Sequence, residues 1–329
     1  MRMKYRWFSG TLPGLFCVAL VAQAQAPSAK HQVKQLKLTI LSTMLADEGI
    51  GEWGFAALLE ADGKKLLIDT GARPETVLTN VRDLKIDLSA ITDVVLTHFH
   101  PDHTGGLMTL RGEMKKRNAA ALSRVHTATG LFYSRPKPDG GDANPMVAMR
   151  PLYLATGGEF VEHDRAAELL PGVWITGPIP RKFPERNWSG ALQVKTPAGL
   201  VEDTVPDDQS IVVETASGLV VITGCGHAGI VNILTAADAQ FAHRTVHAVL
   251  GGVHLFEAKD QQVEWTADQL KGFGVRYLMG AHCTGIESLF RLRNRIGLSR
   301  QTAVVGAVGA SFTLGEGAGS SIHPGRVAQ

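Results

Sequence analysis

The chain has 329 residues, of which 44% are hydrophobic and 19% are charged. This composition allows a large buried core, and no internal repeat at solenoid periods divides the chain, so one large α/β domain is the economical interpretation. The formal net charge is only +2, and the sequence has no basic stripe and no basic patch interleaved with aromatic residues. These features argue against nucleic acid as a partner.

The first residues have the pattern of a secretory signal peptide. Arg2, Lys4 and Arg6 precede an apolar stretch, and Ala-x-Ala cleavage patterns follow at 22–26. The apolar stretch is too short and wrongly flanked for a membrane span. We therefore predict cleavage after residue 26, a periplasmic or secreted protein, and no stable membrane span afterwards. An uncleaved N-terminal anchor is the alternative. Removing 1–26, which carry three Lys/Arg and no Asp/Glu, changes the formal charge from +2 to −1.

In chain order, the predicted elements alternate between strands and helices. Hydrophobic patterning and turn residues predict strands at 35–42, 55–61, 64–68, 91–96, 210–214, 219–223, 246–250, 275–279, 302–305 and 310–314, with another short strand ending near 125–126. The predicted helices are 74–84, 107–116, 230–241, 257–273 and 286–295. This order indicates an α/β architecture with helix-covered sheets. The predicted domain spans 27–314, and the Gly/Ser-rich composition of 315–325 predicts a disordered, flexible tail over 315–329.

Two stretches rich in turn-forming residues are predicted to be irregular. Residues 134–151 form a long loop that either covers a site or is a variable surface insertion. Residues 178–206 form the second irregular stretch. Its cationic and aromatic side chains either hold a flat, anionic small molecule or form a solvated face; they are Arg181, Lys182, Arg186, Trp188 and Lys195.

Residues 97–106, with the sequence THFHPDHTGG, are the main functional signal. Four potential ligands fall within six positions: His98, His100, Asp102 and His103. Imidazole nitrogen and carboxylate oxygen are ligands for Zn²⁺ and similar ions. The chain has only 12 histidines, so a cluster this dense favours a metal site over a solvated polar loop. The four candidates exceed the needs of one catalytic ion, which favours two ions and hydrolysis by a metal-bound hydroxide.

Further candidate ligands follow other predicted strands. Histidines occur in glycine-bearing turns after four of them, at His98/His100, His227, His254 and His282. Four such ends in one chain predict a common rim and one shared site. Competing enzyme classes lack their motifs, since no G-x-S-x-G is present and no G-x-G-x-x-G follows the first strand.

The H-x-H-x-D-H stretch resembles the signature of the metallo-β-lactamase superfamily. Asp69 in LLIDTG and His282 in LMGAH resemble its earlier aspartate and late histidine motifs. The resemblance covers nearly the whole mature chain and implies a four-layer αβ/βα sandwich with a dinuclear site at one edge. Together with GCGHAGIVNIL, GGVHLF and AHCTG, the stretch also resembles the dihydropterin synthase-like branch of that superfamily.

The sequence departs from the superfamily pattern at two positions. The middle histidine is absent, and Asp207 and Asp208 stand near its expected place. Cys225 occupies the position of the bridging aspartate, and His227 is a candidate replacement ligand. The other remaining cysteine, Cys283, also follows a histidine; a Cys225–Cys283 disulfide in an oxidising compartment is the alternative to a role in a site.

The resemblance implies a specific division of ligands. We predict His98, His100 and His227 for one ion. For the other ion we predict Asp102, His103 and His282, with Cys225 as a candidate bridge. The resemblance also implies that Asp69 orients ligands without binding the metal itself. His254 is predicted to donate a hydrogen bond or proton to substrate, or else to be structural, so Asp102 and His254 are the predicted catalytic residues.

These observations lead to one main functional hypothesis and several alternatives. The main hypothesis is an exported metal-dependent hydrolase that binds two divalent ions and acts on a small molecule. Thiolate favours zinc, and an oxygen-rich site would favour manganese or iron. A β-lactamase or lactonase-type hydrolase is the nearest alternative. A non-catalytic protein that binds metal or a pterin-like ligand, and a di-iron redox protein, are alternatives of other classes. The oligomeric state is not predicted.

Overall fold

The computed structural model describes residues 31–185 and 193–328. The predicted signal peptide, Cys17, Arg186 and Trp188 lie outside the described residues. Within these two ranges, no helix combines the length and apolar character needed to cross a bilayer.

The helices and strands are numbered in chain order. The helices are α1 Thr76–Asp83, α2 Pro101–Thr104, α3 Leu107–Lys115, α4 Pro145–Ala155, α5 Ile230–Gln240, α6 Asp260–Gly272 and α7 Ile286–Ile296, with 3₁₀ turns at His282–Thr284 and Arg326–Ala328. The strands are β1 Gln35–Ser42, β2 Leu45–Ala46, β3 Ala56–Ala61, β4 Lys64–Ile68, β5 Asp93–Val95, β6 Arg124–Ala128, β7 Glu159–His163, β8 Ala167–Leu170, β9 Val173–Ile175, β10 Gln193–Thr196, β11 Gly199–Glu202, β12 Ser210–Thr215, β13 Gly218–Thr223, β14 Val246–Gly251, β15 Tyr277–Gly280, β16 Ala303–Val305, β17 Ala307–Val308, β18 Ser311–Gly315 and β19 Gly319–His323.

Two large sheets carry most of these strands. The first has eight strands in the order β19-β18-β1-β3-β4-β5-β6-β7, and the second has seven in the order β16-β15-β14-β13-β12-β9-β8. Pairs β2/β17 and β10/β11 form two small sheets. In the second sheet, β13, β14, β15 and β16 are parallel neighbours, so their carboxyl ends meet at one edge.

Three apolar clusters define four layers. Successive side chains of a strand point to opposite faces. On β13, Val220 and Ile222 accordingly join the cluster between the sheets. Leu219 and Val221 join the cluster under α5, α6 and α7. A third cluster packs α1, α3 and α4 against the outer face of the first sheet. The layers are therefore helix, sheet, sheet and helix, which is the predicted αβ/βα sandwich.

The structure corrects the predictions for the irregular stretches and the tail. Within 134–151, Asn144 caps α4 by accepting a hydrogen bond from the Met146 N–H, with proline at the first helical position. Within 178–206, β10 and β11 form a hairpin. The flexible-tail prediction is wrong for 319–323, because β19 pairs along β18 at the edge of the first sheet. Strands β7, β8 and β9 were not predicted.

Candidate metal centre

The candidate ligands follow the ends of strands from both sheets. His98 and His100 come after β5, and Pro101 starts the short helix α2, which carries Asp102 and His103. In the second sheet, residues 225–227 follow β13, His254 follows β14 and His282 follows β15. The two sheets face each other, so these turns lie together at one edge of the sandwich, as the pattern of strand ends predicts.

The first ligand group consists of His98, His100 and His227. Their ligand nitrogens all lie within 4.8 Å of one another. His100 Nδ1 is 3.0 Å from His98 Nε2 and 3.2 Å from His227 Nε2. Bonds of about 2.0–2.1 Å to one tetrahedral zinc ion would place two nitrogens roughly 3.3 Å apart. The spacing of this group therefore suits a single shared ion.

The second ligand group consists of Asp102, His103 and His282. Asp102 Oδ2 is 3.3 Å from His282 Nε2 and 3.9 Å from His103 Nε2. His103 Nε2 and both ring nitrogens of His282 are buried and lack a hydrogen-bond partner. Buried polar atoms are normally paired, and a metal ion would satisfy His103 Nε2 and one of the two ring nitrogens of His282. The residues present therefore fit a metal, and their role as ligands remains a prediction.

Asp69 holds two of these histidines in ligand-competent tautomers. Its Oδ2 lies 2.7 Å from His103 Nδ1 and also accepts a hydrogen bond from the Thr97 hydroxyl at 2.7 Å. Because the Thr97 hydroxyl donates to Asp69, it accepts from His98 Nδ1 at 3.1 Å. Nε2 of both rings is thus directed away from Asp69, and each ring in its neutral form would present its Nε2 lone pair there. The contacts agree with the predicted orienting role of Asp69.

The turn at residues 224–227, with the sequence GCGH, passes close to the Asp69 carboxylate. A Cβ atom at Gly224 would lie 2.1 Å from Thr97 Oγ1 and 2.5 Å from Asp69 Oδ2. Only glycine allows the backbone to pass here without displacing both groups. This close approach places Cys225 beside the histidines of the first sheet, where its sulfur lies within 4.8 Å of the ligand atoms of His98 and His103.

The histidines differ in their protonation. Burial lowers the pKa of His98, and His103 lowers it further. Burial also lowers the pKa of His100 to about 4, against the opposing effect of Asp102. Burial disfavours charge on His103 as well, but Asp69 and Asp102 outweigh it and raise the pKa of His103 to about 9. His98 and His100 are therefore neutral at pH 7, whereas His103 must release a proton to bind a metal.

Three polar residues of the site have strained backbones. Asp69, His254 and His282 have φ values of +53°, +47° and +47°. Such left-handed conformations are uncommon for residues other than glycine, and they concentrate at functional sites. Each lies within three residues of the end of a strand: Asp69 after β4, His254 after β14 and His282 after β15.

The structure places Cys225 and His254 beside the two ligand groups. Cys225 Sγ lies 3.1 Å from His254 Nδ1, and the His254 ring centroid is 4.4 Å from that of His227. The bridging role of Cys225 and the catalytic roles of Asp102 and His254 remain predictions.

The sequence prediction assigned no role to three buried charged residues near the candidate ligands, Arg135, Asp207 and Asp208. Asp207 accepts a hydrogen bond from the Phe99 N–H, and Asp208 accepts one from the Ala228 N–H. Asp207 and Asp208, which stand near the expected place of the middle histidine, therefore stabilise two turns through their carboxylates. One turn carries His98 and His100, and the other carries His227. Arg135 donates to Asp207 at 2.7 Å. The available signal was the adjacent pair Asp207 and Asp208, one residue before strand β12.

The structure also limits the predicted anion-binding role of the loop cations. Arg181 donates to the carbonyl oxygen of His227 at 2.8 Å and to that of Thr204. The guanidinium of Arg181 therefore stabilises the turn that carries His227 through these backbone hydrogen bonds. Lys195 lies on β10, where its side chain is exposed.

Glu185 caps α5, the helix that follows the His227 turn. Its carboxylate accepts hydrogen bonds from the Val231 and Asn232 N–H groups. Burial raises the pKa of Glu185 from 4.5 to about 7, although these N–H groups oppose the shift. Between these values the native state holds the proton more tightly than the unfolded state, so this group stabilises the fold progressively less as pH rises.

We therefore expect Glu185→Gln to become more stable relative to the wild type as pH rises from about 4.5 to about 7. The slope is at most about 1.4 kcal/mol per pH unit. Urea unfolding at several pH values measures this difference. Glu316→Gln, at a side chain that is 70% exposed, is the matched control. A pH-independent difference for Glu185→Gln would contradict the assignment.

Two packed sheets carry a cluster of histidine and aspartate side chains at the ends of their strands. This arrangement is typical of proteins that bind metal ions at the edge of an αβ/βα sandwich. The sequence profile of the metallo-beta-lactamase superfamily matches residues 54–282. The chain belongs to this superfamily, most members of which are hydrolases.

Individual relatives support the same family and fold. A protein of Methanocaldococcus jannaschii, named 7,8-dihydropterin-6-methyl-4-(beta-D-ribofuranosyl)-aminobenzene-5'-phosphate synthase, is 28% identical over 271 residues, covering 78% of this chain and 90% of the relative. The crystal structure of Tm1679, described as a metal-dependent hydrolase of the beta-lactamase superfamily, has a TM-score of 0.68 at 27% identity. The similarity covers 84% of this chain and 98% of that one. A diphosphatase of the PhnP family shares the fold, with a TM-score of 0.50 at 14% identity over 89% of this chain and 100% of that one. The resemblance inferred from the sequence is thereby confirmed.

Proposed function

We propose that this protein is an exported metal-dependent hydrolase with a dinuclear centre, of the dihydropterin synthase-like branch. The observation that carries the proposal is the pair of ligand groups, His98/His100/His227 and Asp102/His103/His282, each with its ligand atoms within 4.8 Å of one another. Two divalent ions bound there, zinc by preference, would generate a nucleophile from water at neutral pH and stabilise the developing anion.

The protein's own residues have distinct roles in this proposal. Asp69 fixes His98, through Thr97, and His103 with their ligand nitrogens facing the centre. Asp102 has a pKa held well below its usual range, because His103 and His282 outweigh its burial, so it remains a carboxylate at neutral pH. In this proposal His254, whose ring centroid lies 4.4 Å from that of His227, donates a hydrogen bond or a proton to the substrate.

An aromatic rim borders the centre and favours a substrate with a flat ring. Trp53 is 45% exposed and Phe256 is 37% exposed. Their ring centroids lie 5.0 Å apart, and Trp53 also contacts the His282 ring at 4.9 Å. Exposed aromatic faces bind planar groups by stacking. A small molecule with a heteroaromatic or aryl group would place its scissile bond beside His282 and His254.

The test combines metal analysis with a substrate panel. We expect the purified protein to contain transition metal and to hydrolyse at least one member of a panel of aryl esters, lactones, phosphodiesters and β-lactams. We expect His100→Ala to lose the metal ion of its own ligand group together with the activity. His243→Ala, at a side chain that is 81% exposed, is the control and should retain both. A metal-free wild type whose activity is unchanged by His100→Ala would refute the proposal.

The name of the M. jannaschii relative adds one arm to this panel. A 7,8-dihydropterin that carries a leaving group on its 6-methyl carbon, supplied with a phosphorylated aminobenzene riboside, tests synthase chemistry, and nitrocefin tests β-lactam hydrolysis. Turnover of the pterin pair without hydrolysis of any other compound would replace the hydrolase proposal with a synthase. Export is tested separately, by determining the N-terminal residue of the protein recovered from the periplasm or medium.

A further inference from the structure

Cys225, His254 and Cys283 form a compact group of potential ligands beside the proposed hydrolytic centre. Their ligand atoms lie within 4.8 Å of one another. Cys225 Sγ is 3.0 Å from Cys283 Sγ and 3.1 Å from His254 Nδ1. Both cysteines are buried and are free thiols. The proposed hydrolytic centre does not use Cys283.

Three adjacent parallel strands build this group. Cys225 follows β13, His254 follows β14 and Cys283 follows β15, and the last residues of these strands are in register. A Cβ atom at Gly252 would lie 2.2 Å from the carbonyl oxygen of Gly224 and 2.9 Å from Cys283 Sγ. Glycine at this position therefore lets the two cysteine-bearing turns approach each other. The fold also maintains the left-handed backbone of His254, at φ +47°.

The donor set differs in chemistry from its neighbours. Two thiolates and one imidazole are softer ligands than the histidine and carboxylate groups next to them, and soft sulfur ligands select ions such as Zn²⁺ and Cu⁺. The sulfur–sulfur distance of 3.0 Å is longer than the roughly 2.05 Å of a disulfide. Two thiolates on one tetrahedral ion, with bonds of about 2.3 Å, would lie roughly 3.8 Å apart, so the two sulfur atoms would separate slightly on metal binding. Three protein ligands leave one position of a tetrahedral ion open.

We propose that Cys225, His254 and Cys283 bind a third metal ion, a thiophilic ion of the Zn²⁺ and Cu⁺ class. Cys225 lies between this group and the histidines, because its sulfur is also within 4.8 Å of the ligand atoms of His98 and His103. Cys225 therefore links the soft site to the hydrolytic centre. This proposal goes beyond the hydrolase assignment and does not depend on it.

The test uses Cd²⁺ as the probe on the reduced full-length protein. A Cys17→Ser background leaves the two buried cysteines as the only thiols, since the chain has three cysteines. Ultraviolet absorption from thiolate-to-cadmium charge transfer reports sulfur ligation, and native mass spectrometry counts bound ions. We expect Cys283→Ser to lose about half of the absorption, because one of two thiolates is removed. His254→Asn keeps a residue that tolerates the left-handed backbone, and we expect it to bind Cd²⁺ more weakly with the absorption at saturation retained.

His100→Ala separates this proposal from the hydrolase assignment. Its cadmium–thiolate absorption should remain at the wild-type level even though the first histidine group is broken. Undiminished absorption in Cys283→Ser would overturn the proposal, as would complete loss of absorption in His100→Ala. A reduced wild type without any thiolate absorption would overturn it as well. Thermal unfolding of each variant verifies that it is folded, and His254→Asn supplies the test if Cys283→Ser does not fold.

Discussion

His227→Ala and His282→Ala should each remove one of the two ions of the proposed hydrolytic centre and lower hydrolytic activity about a thousandfold. The two histidines belong to different ligand groups, with His100 Nδ1 3.2 Å from His227 Nε2 and Asp102 Oδ2 3.3 Å from His282 Nε2. A metal ion contributes several kcal/mol of transition-state stabilisation, and about 4 kcal/mol corresponds to a thousandfold in rate. Metal analysis of each variant, with the kinetics of the best substrate, measures both effects.

The double variant should bind neither ion. His247→Ala is a suitable control, because His247 is partly buried and bonds to Ser320 Oγ away from both ligand groups. If His227→Ala still bound the ion of the His98/His100/His227 group at wild-type affinity, His227 would not replace the absent middle histidine of the superfamily. Loss of both ions in either single variant would instead indicate that the two groups bind metal cooperatively.

The sequence was most informative where ligands are contiguous or follow strands. His98, His100, Asp102 and His103 fall within six positions, so ligand spacing alone indicated them as candidate ligands. The later histidines were identified because each follows a buried strand. Parallel neighbouring strands bring their carboxyl ends to one edge, as β13, β14 and β15 do. The periodicity of the elements predicted sheets covered by helices, and the resemblance to the metallo-β-lactamase superfamily implied the order of the four layers.

Other features depend on contacts that no local pattern encodes. The sulfur atoms of Cys225 and Cys283 meet across 58 positions of sequence, and Arg135 meets Asp207 across 72. Which polar groups a buried site pairs together depends on how the two sheets pack. The prediction of a flexible tail was wrong at β19 for a related reason. Its Gly/Ser-rich composition suggests disorder, but β19 is ordered by pairing with the edge of β18.

Arg135→Met should destabilise the protein by about 3–5 kcal/mol, because it leaves buried carboxylates without their cation. The Arg135 side chain is fully buried and bonds to Asp203 at 2.8 Å and to Asp207 at 2.7 Å. Its guanidinium carbon also lies 3.4 Å from the centroid of the Phe99 ring. Phe99 lies between His98 and His100, and its N–H donates to Asp207. We therefore expect weaker metal binding as well as lower stability, measured by urea unfolding and by metal titration.

The pH dependence of this loss identifies its electrostatic origin. Burial raises the pKa of Asp207 to about 6, and Arg135 opposes that shift. Without Arg135 the pKa of Asp207 rises further, so protonation relieves the uncompensated charge in acid. The destabilisation should therefore be larger near pH 8 than near pH 5.5. Arg117→Met removes an exposed arginine that pairs with Asp87 and should cost less than about 1 kcal/mol. If Arg135→Met and Arg117→Met lowered the free energy of unfolding equally, and by the same amount at every pH, Arg135 would stabilise the fold by packing alone.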